Sequence, residues 1–442
     1  MPSAPLLVAA ISLVIWLYLF AARGTFWNLQ PFDDDNTNHA APTRWPSVAA
    51  IIPARNEAET IAQTIASLSR QDYSGKFSIV VVDDHSEDAT AQLALEFVQT
   101  STQANRTNNL THEVTILSAP PLQPGWTGKL SALNAGINFT LNGAPDENVS
   151  SRAQRGICRS SAVPQTSTHE PPTYFWFTDA DVVHAPDTLR RLVSRAEQND
   201  LDLTSLMVLL RAQTLPERFL IPPFLFFFLK LYPPSQIANP NSRAAGAAGG
   251  CILLRRTALD RIGGLAAIRS EVIDDCALAR AVKRSATPDG TPNATPHPKI
   301  WMGVTRKNRS LRAYSTFAEI RDMIARTAFT QLRYSALLLL GTLAGLALTY
   351  LAPIALLFAH DTATRLTALL TWLIMSLLFL PTVRYYRMST HWSVALPLAA
   401  LFYAVATILS ALRYWTNRGA HWKGRSQAPK SSNPGGHGAY RF

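Results

Sequence analysis

Acids are in short supply. The 442 residues hold 30 Asp and Glu against 41 Lys and Arg, a net charge of +11, and charged residues make up only 16% of the chain. An ordinary soluble domain carries about 25%. The shortage argues against an evenly solvated surface, and a hydrophobic share of 47% excludes a disordered chain. Cysteine is scarcer still: Cys158, Cys251 and Cys276 are too few for a disulfide scaffold and lack metal-ligand spacing. No G-x-G-x-x-G and no G-x-x-x-x-G-K-[ST] occurs, which counts against dinucleotide and P-loop chemistry.

The positive charge that is present is localised. Residues 305–333 hold seven Lys or Arg and two acids, and residues 413–442 hold six and none, which accounts for the whole excess. A basic chain suggests nucleic acid at first. Both basic segments flank apolar stretches, however, and that points to an anionic membrane surface instead, with no nucleic-acid partner.

Uncharged windows cover 1–22, 334–359, 366–383 and 392–412. A spanning helix needs about 20 apolar residues. No Lys or Arg precedes the first window and Arg23 follows it, which predicts a retained anchor with its C-terminal side inside. Three further crossings would leave the basic tail outside, against the positive-inside rule. The shortest window, 366–383, is the first candidate for a re-entrant segment. The proline-broken run 219–232 is expected to lie in the interface or in the core.

The chain divides into an anchor (1–23), a polar linker (24–46) whose Asp33, Asp34 and Asp35 form a solvated acidic run, a catalytic region (47–333), membrane segments (334–412) and a basic tail (413–442). Within 47–333, β-rich runs at 48–52, 77–82, 114–117 and 174–178 alternate with helical patterns at 57–70, 88–99, 130–140 and 186–198. That alternation predicts an α/β fold with a mostly parallel central sheet, whose ligands sit at the C-terminal strand ends. Stretches 99–112, 142–172 and 285–298 are rich in Ser, Thr, Asn, Pro and Gly and predict mobile loops.

Carboxylates collect at those strand ends. The first run leads into Pro53-Ala54-Arg55-Asn56-Glu57, the second into Asp83-Asp84, and the fourth into Asp179-Ala180-Asp181. One acidic strand end serves as a helix cap as readily as a site. Three at one sheet edge point to a ligand. Asp-x-Asp in an extended segment turns both carboxylates the same way, which suits Mg²⁺ or Mn²⁺ with substrate phosphates. Gly249-Gly250 would let a backbone approach a ligand closely. Asp274-Asp275 opens a helical run, where an acid pair complements the helix dipole or supplies a base.

These residues resemble glycosyltransferase family 2, with its GT-A fold. Pro53-Ala-Arg-Asn-Glu57, Val82-Asp-Asp-His-Ser-Glu-Asp-Ala-Thr90, Gly128-Lys129 through Asn134-Ala-Gly136, Asp179-Ala-Asp181 and Asp274-Asp275 follow the family's motifs in order. Longer strings, such as PPLQPGWTGKLSALNAG and IDDCALARAVKR, are similar to the hopene-associated glycosyltransferases of bacterial hopanoid clusters. The resemblance implies a membrane-bound, inverting, metal-dependent hexosyltransferase of the bacterial inner membrane, with its catalytic domain in the cytoplasm. The donor would be a nucleotide-sugar, UDP-linked, and the acceptor a hopanoid-related lipid. Pro53, Arg55, Glu57, Asp83, Asp84, Lys129 and Asp179 would bind the donor. Asp181 with Asp179 would hold Mg²⁺ or Mn²⁺, and Asp275 beside Asp274 would be the base. Gly249, Gly250, Gln331 and Arg333 would serve the acceptor or diphosphate. Gln331-Leu332-Arg333-Tyr334 is one residue short of the Q-x-x-R-W of processive and ceramide-type relatives. Rival readings are a transferase for polyprenyl phosphate or a carotenoid-type lipid, and a membrane-anchored receiver-like signalling module.

Overall fold

The computed structural model describes residues 3–34, 42–104, 112–143, 158–159, 170–285, 299–416, 421–422 and 425–426. The expected loops 142–172 and 285–298 lie largely outside these residues.

A nine-stranded sheet forms the centre of the catalytic region. Its strands are β1 (Val48–Ala54), β2 (Phe77–Asp83), β3 (Glu113–Ser118), β4 (Cys158–Arg159), β5 (Tyr174–Phe177), β6 (Val182–Val183), β7 (Leu203–Leu209), β8 (Ile252–Arg255) and β9 (Ile300–Ser310), in the spatial order β4-β3-β2-β1-β5-β8-β7-β9-β6. β3, β2, β1 and β5 run parallel, and β8 then enters antiparallel between β5 and β7. The helices before and within this region are α1 (Ala4–Ala21), α2 (Ile61–Ser69), α3 (Thr90–Ala104), α4 (Gly128–Asn142), α5 (Thr188–Gln198), α6 (Leu215–Leu231), α7 (Pro234–Ala238), α8 (Arg256–Arg261) and α9 (Asp274–Arg284). After the sheet come α10 (Phe317–Gln331), α11 (Ala336–Leu346), α12 (Ala352–Leu356), α13 (Thr362–Tyr385) and α14 (Leu396–Trp415).

Both faces of the sheet are covered, and the alternation of each strand shows it. Ala49 and Ile51 of β1 join one core with Val80, Val82, Phe175 and Phe177, while Ala50 and Ile52 join the other with Ile79, Val81 and Trp176. Strand periodicity of two puts successive side chains on opposite faces, so strands buried on both faces appear as continuous apolar runs. Gly136 of α4 lets that helix press on the sheet: a Cβ there would meet Ile51 Cγ2 at 2.5 Å.

Three sequence expectations are corrected. The helix expected at 88–99 continues to Ala104, so the start of the supposed 99–112 loop is helical. Asp33 is not solvated: its carboxylate accepts the Thr305 hydroxyl at 2.7 Å and the backbone amides of Arg306 and Lys307, tying the linker to β9. The window 366–383 is not short either, because α13 runs for 24 residues. The proline-broken run lies in α6, whose Leu220 and Ile221 are buried in a core cluster. Thr214 and Glu217 make a capping box at its start, and Pro222 and Pro223 sit buried inside it.

Four helices are long and apolar enough to cross a membrane: Ala4–Ala21, Ala336–Leu356, Thr362–Tyr385 and Thr390–Trp415. The second contains a π-helical turn, Ala347–Leu351, just before Pro353. Pro353 has no amide to offer the carbonyl of Thr349, four residues back. The indole of Trp16 in α1 supplies the missing donor at 2.8 Å. In apolar surroundings an unpaired carbonyl is costly, so this bond fastens the first apolar helix to the second.

Candidate active site

One cleft of about 1150 Å³ opens at the C-terminal ends of β1 and β5. Pro53 and Glu57 reach it from β1, Asp179 and Asp181 from β5, Lys129 from the first turn of α4, and Asp274 and Asp275 from the first turn of α9. Gly249 and Gly250 form part of its wall. The structure therefore brings together residues up to 222 positions apart in the chain, from Pro53 to Asp275.

Lys129 links the two acidic motifs. Its Nζ lies 2.8 Å from Asp179 Oδ1 and 3.3 Å from Asp274 Oδ2. Burial works against its charge, but Asp179, Asp274 and Asp275 outweigh burial and hold the ammonium protonated well above the ordinary lysine range. Asp275 is positioned by backbone donors. The Gly249 amide donates to its Oδ2 at 2.9 Å and the Cys276 amide to its Oδ1 at 2.7 Å. Burial, then the neighbouring Asp274, push its pKa up to about 6, against the opposing pull of Lys129. A Cβ at 249 would sit 3.2 Å from Lys129 Nζ, a tight contact, and 3.4 Å from Asp275 Oδ2, an ordinary one.

Asp181 is buried and accepts the Ser310 hydroxyl at 3.0 Å. Burial first, then the charges of Asp179 and Glu57, push its pKa up to about 6. Glu57 meets Arg312 at 3.8 Å. Beneath the Asp-x-Asp, Thr178 Oγ1 lies 2.7 Å from His184 Nε2 and 3.0 Å from the Gly250 carbonyl. This fixes the glycine pair relative to the acids. Burial pushes His184 down to about 3, so it stays neutral and structural.

Other candidates fall elsewhere. Asp83 and Asp84 are buried at the end of β2 and do not line the cleft. Asp83 accepts the amide and the hydroxyl of Ser86. Arg55 is buried too, and its guanidinium holds the carbonyls of Asp84 and His85 at 2.6 and 2.7 Å and the Glu87 carboxylate at 2.8 Å. Arg55 thus builds the loop after β2. Asn56 and His85 both adopt left-handed backbone conformations in these two strand-end loops, the kind of local cost that collects at binding sites. Gln331 and Arg333 do not line the cleft; the Gln331 amide donates to Tyr232 Oη at 2.7 Å. Ser310 and Arg312 had no motif to mark them, and only their place in the basic 305–333 segment hinted at a role.

The acids around Asp181 outnumber the cations, and that crowding, with oxygen donors alone, fits a hard divalent cation. Among the described residues no three His, Cys, Asp or Glu side chains already form a metal cage. Phosphate oxygens would complete such a shell.

Two family models match the sequence. Glycosyl transferase family 2 covers residues 49–140, and glycosyl transferase family 21 covers residues 168–428. An N-acetylglucosaminyltransferase of Rhizobium leguminosarum bv. viciae is 39% identical over 95 residues, 20% of this chain and 21% of that protein. Another from Mesorhizobium japonicum is 50% identical over 48 residues, 11% of each. The chain thus matches about a fifth or less of the length of these curated relatives. A mannosyltransferase from Pyrobaculum calidifontis, solved in complex with GDP-Man and Mn²⁺, has a similar fold: TM-score 0.50 at 17% identity, over 90% of this chain and 99% of that one.

Proposed function

The chain belongs to glycosyl transferase family 21, and from that premise we propose that it is a membrane-bound inverting glycosyltransferase. It moves a sugar from a nucleotide-diphosphate sugar, UDP-linked, to a lipid hydroxyl. The observation that carries the reading is the cluster of Lys129, Asp179, Asp181 and Asp275 in one cleft, where a family motif supplies each residue.

In this reading Asp275 is the general base. It takes the proton of the acceptor hydroxyl as that oxygen attacks the anomeric carbon and the bond from that carbon to the diphosphate oxygen breaks. A carboxylate near pH 6 is suited to this, since it is ionised at neutral pH yet basic enough to accept a proton. Two backbone amides hold both its oxygens in register. Lys129 keeps the base and the Asp-x-Asp at a fixed spacing and supplies positive charge beside them. Asp181, with Asp179, would hold Mg²⁺ or Mn²⁺. A bound ion of this kind offsets the charge that builds on the leaving diphosphate. Glu57 closes that side of the cleft with Arg312.

A placed base also bears on the acceptor. The oxygen of a polyprenyl phosphate is already deprotonated at neutral pH and needs no base, whereas an alcohol does. This favours a hydroxyl lipid, and the sequence likeness to hopene-associated enzymes favours a hopanoid-related one. The four apolar helices support residence in a membrane, which we take to be the bacterial inner membrane with the cleft on its cytoplasmic side. The test uses the purified full chain with a panel of radiolabelled UDP- and GDP-sugars and a total lipid extract. Label in the lipid phase from a UDP-sugar is expected. Label only in free sugar, or none, would refute the reading.

A further inference from the structure

Two backbone amides hold Asp275, and a chain of side chains reaches both of them from outside the cleft. Tyr232 follows the last residue of α6, and its Oη accepts the side-chain amide of Gln331 at 2.7 Å. The phenol keeps its own proton to give. Its other hydrogen-bond partner is the Cys276 thiol. That thiol donates in turn to the Ala247 carbonyl at 3.6 Å. Each member therefore accepts from one neighbour and donates to the next, in the order Gln331, Tyr232, Cys276, Ala247. Hydrogen bonds in such a series polarise and strengthen one another.

The chain ends on the two segments that carry the amides. The Cys276 amide donates to Asp275 Oδ1, and Ala247 lies two residues before Gly249, whose amide donates to Oδ2. The last turn of α9 grips the same stretch further back, where Lys283 Nζ meets the Ala244 carbonyl at 2.6 Å. The ring of Tyr232 lies against this stretch as well: a Cβ on Gly246 would meet its Cδ1 at 2.7 Å and its Cγ at 2.9 Å. Neither Gln331, Tyr232 nor Cys276 lines the cleft. Any effect of their side chains on the reaction must pass through the groups they hold.

We propose that Tyr232 is a positioning residue for the base. Receiving its hydrogen bond from Gln331, it ties the Cys276 and Ala247 segments together, so that their amides keep both oxygens of Asp275 in place. The inference rests on the sugar-transfer reading above, with Asp275 as its base. It gives Gln331 a task at one remove from the substrates, in place of the direct contact that the motif resemblance implies.

The test measures kcat and apparent KM in full-length protein in lipid nanodiscs, with a radiolabelled UDP-sugar and a total lipid extract. Tyr232→Phe deletes one hydroxyl. Its kcat is expected to fall about tenfold, because a small misplacement of a reacting group is costly. Both KM values are expected to stay within about twofold. Gln331→Glu changes an exposed side chain and reverses the chain, since a carboxylate has no proton to give and takes that of the phenol. A similar fall in kcat is expected, with an unchanged melting temperature. The double variant should lose no more than either single one, because both break the same chain. A wild-type kcat in both single variants, or a raised KM without a fall in kcat, overturns the proposal and leaves the transferase standing. A wild-type protein that labels no lipid overturns the transfer reading and this proposal with it. A second measurement needs no substrate: the Gly249 and Cys276 amides should exchange hydrogen about tenfold faster in Tyr232→Phe, with those of β1 and β2 unchanged. Unchanged exchange at both amides, or faster exchange throughout the sheet, refutes the positioning role.

Discussion

Replacing Lys129 with methionine gives the sharpest test of how the cleft sets its base. A methyl group on Gly249 would touch both Lys129 Nζ and Asp275 Oδ2, at 3.2 and 3.4 Å. The two charges are therefore within about 7 Å of each other, and at an effective dielectric of about 20 their attraction is about 2.5 kcal/mol. One pKa unit corresponds to about 1.4 kcal/mol, so removing the cation should raise Asp275 by up to about 2 units. The carboxylate starts at about 6. The sign follows from the role: a base works only when ionised, so the acid limb of kcat/KM moves upward with the pKa. Near pH 7 the variant should lose about tenfold through protonation of the base, and most of that loss should be recovered by about pH 9. Initial rates of sugar transfer across pH 5 to 9.5, in wild type and variant, measure this directly. A loss of the same size at every pH would refute the reasoning, because Lys129 would then act on the donor and not through Asp275.

Asp275→Asn should lower transfer by about 10² to 10⁴ while donor binding, measured by calorimetry, is kept. The same variant should melt higher than wild type above pH 6 and match it below pH 4. The folded pKa of Asp275 is raised, so its stability is full when protonated and is lost as pH rises through about 6, a loss that Asn escapes. Treatment with EDTA should stop transfer and Mn²⁺ should restore it; full activity in EDTA would remove the metal role from Asp179 and Asp181. Gly249→Ala should leave kcat and donor KM close to those of wild type, since the added methyl group meets Asp275 at ordinary contact distance and crowds only the flexible end of Lys129. Trp16→Phe should cost about 1 to 3 kcal/mol of stability, read as a lower melting temperature in detergent, because the Thr349 carbonyl loses its donor.

The core strands were legible because each is buried on both faces and is bounded by polar strand ends. The acid clusters were legible for a related reason: carboxylates at the C-terminal ends of parallel strands share one sheet edge wherever they lie in the chain. Lys129 stood out only through its resemblance to a motif, and its partners could not be read at all. Its two ion pairs cross 50 and 145 residues, and no local pattern encodes such distances. Ser310 and Arg312 went unseen because a hydroxyl and a guanidinium in a basic stretch look like surface. Asp33 misled for the same reason. An acidic triplet in a linker suggests solvent, yet its first member caps the amides of β9 from 272 or more positions away. Asp83, Asp84 and Arg55 were legible as a strand-end motif, but sequence gave no sign that Arg55 is used up in holding the loop itself.

The Arg413–Asp322 contact at the end of α14 has a consequence for the two chain termini. The turn just before this helix packs Trp392 against Phe219 of α6, and its last turn carries Arg413, which donates to Asp322 of α10 at 2.6 Å on the wall of the cleft. Both ends therefore touch the body that carries Asp275. A helix held to neighbouring elements at both ends is expected to lie along them and not to carry the chain across. Three of the four apolar helices are then expected to change sides, an odd number, which would put the two chain termini in opposite compartments. A tag on the N-terminus and a tag on the C-terminus should thus answer oppositely to a protease added outside intact spheroplasts: the first digested, the second protected until the membrane is opened.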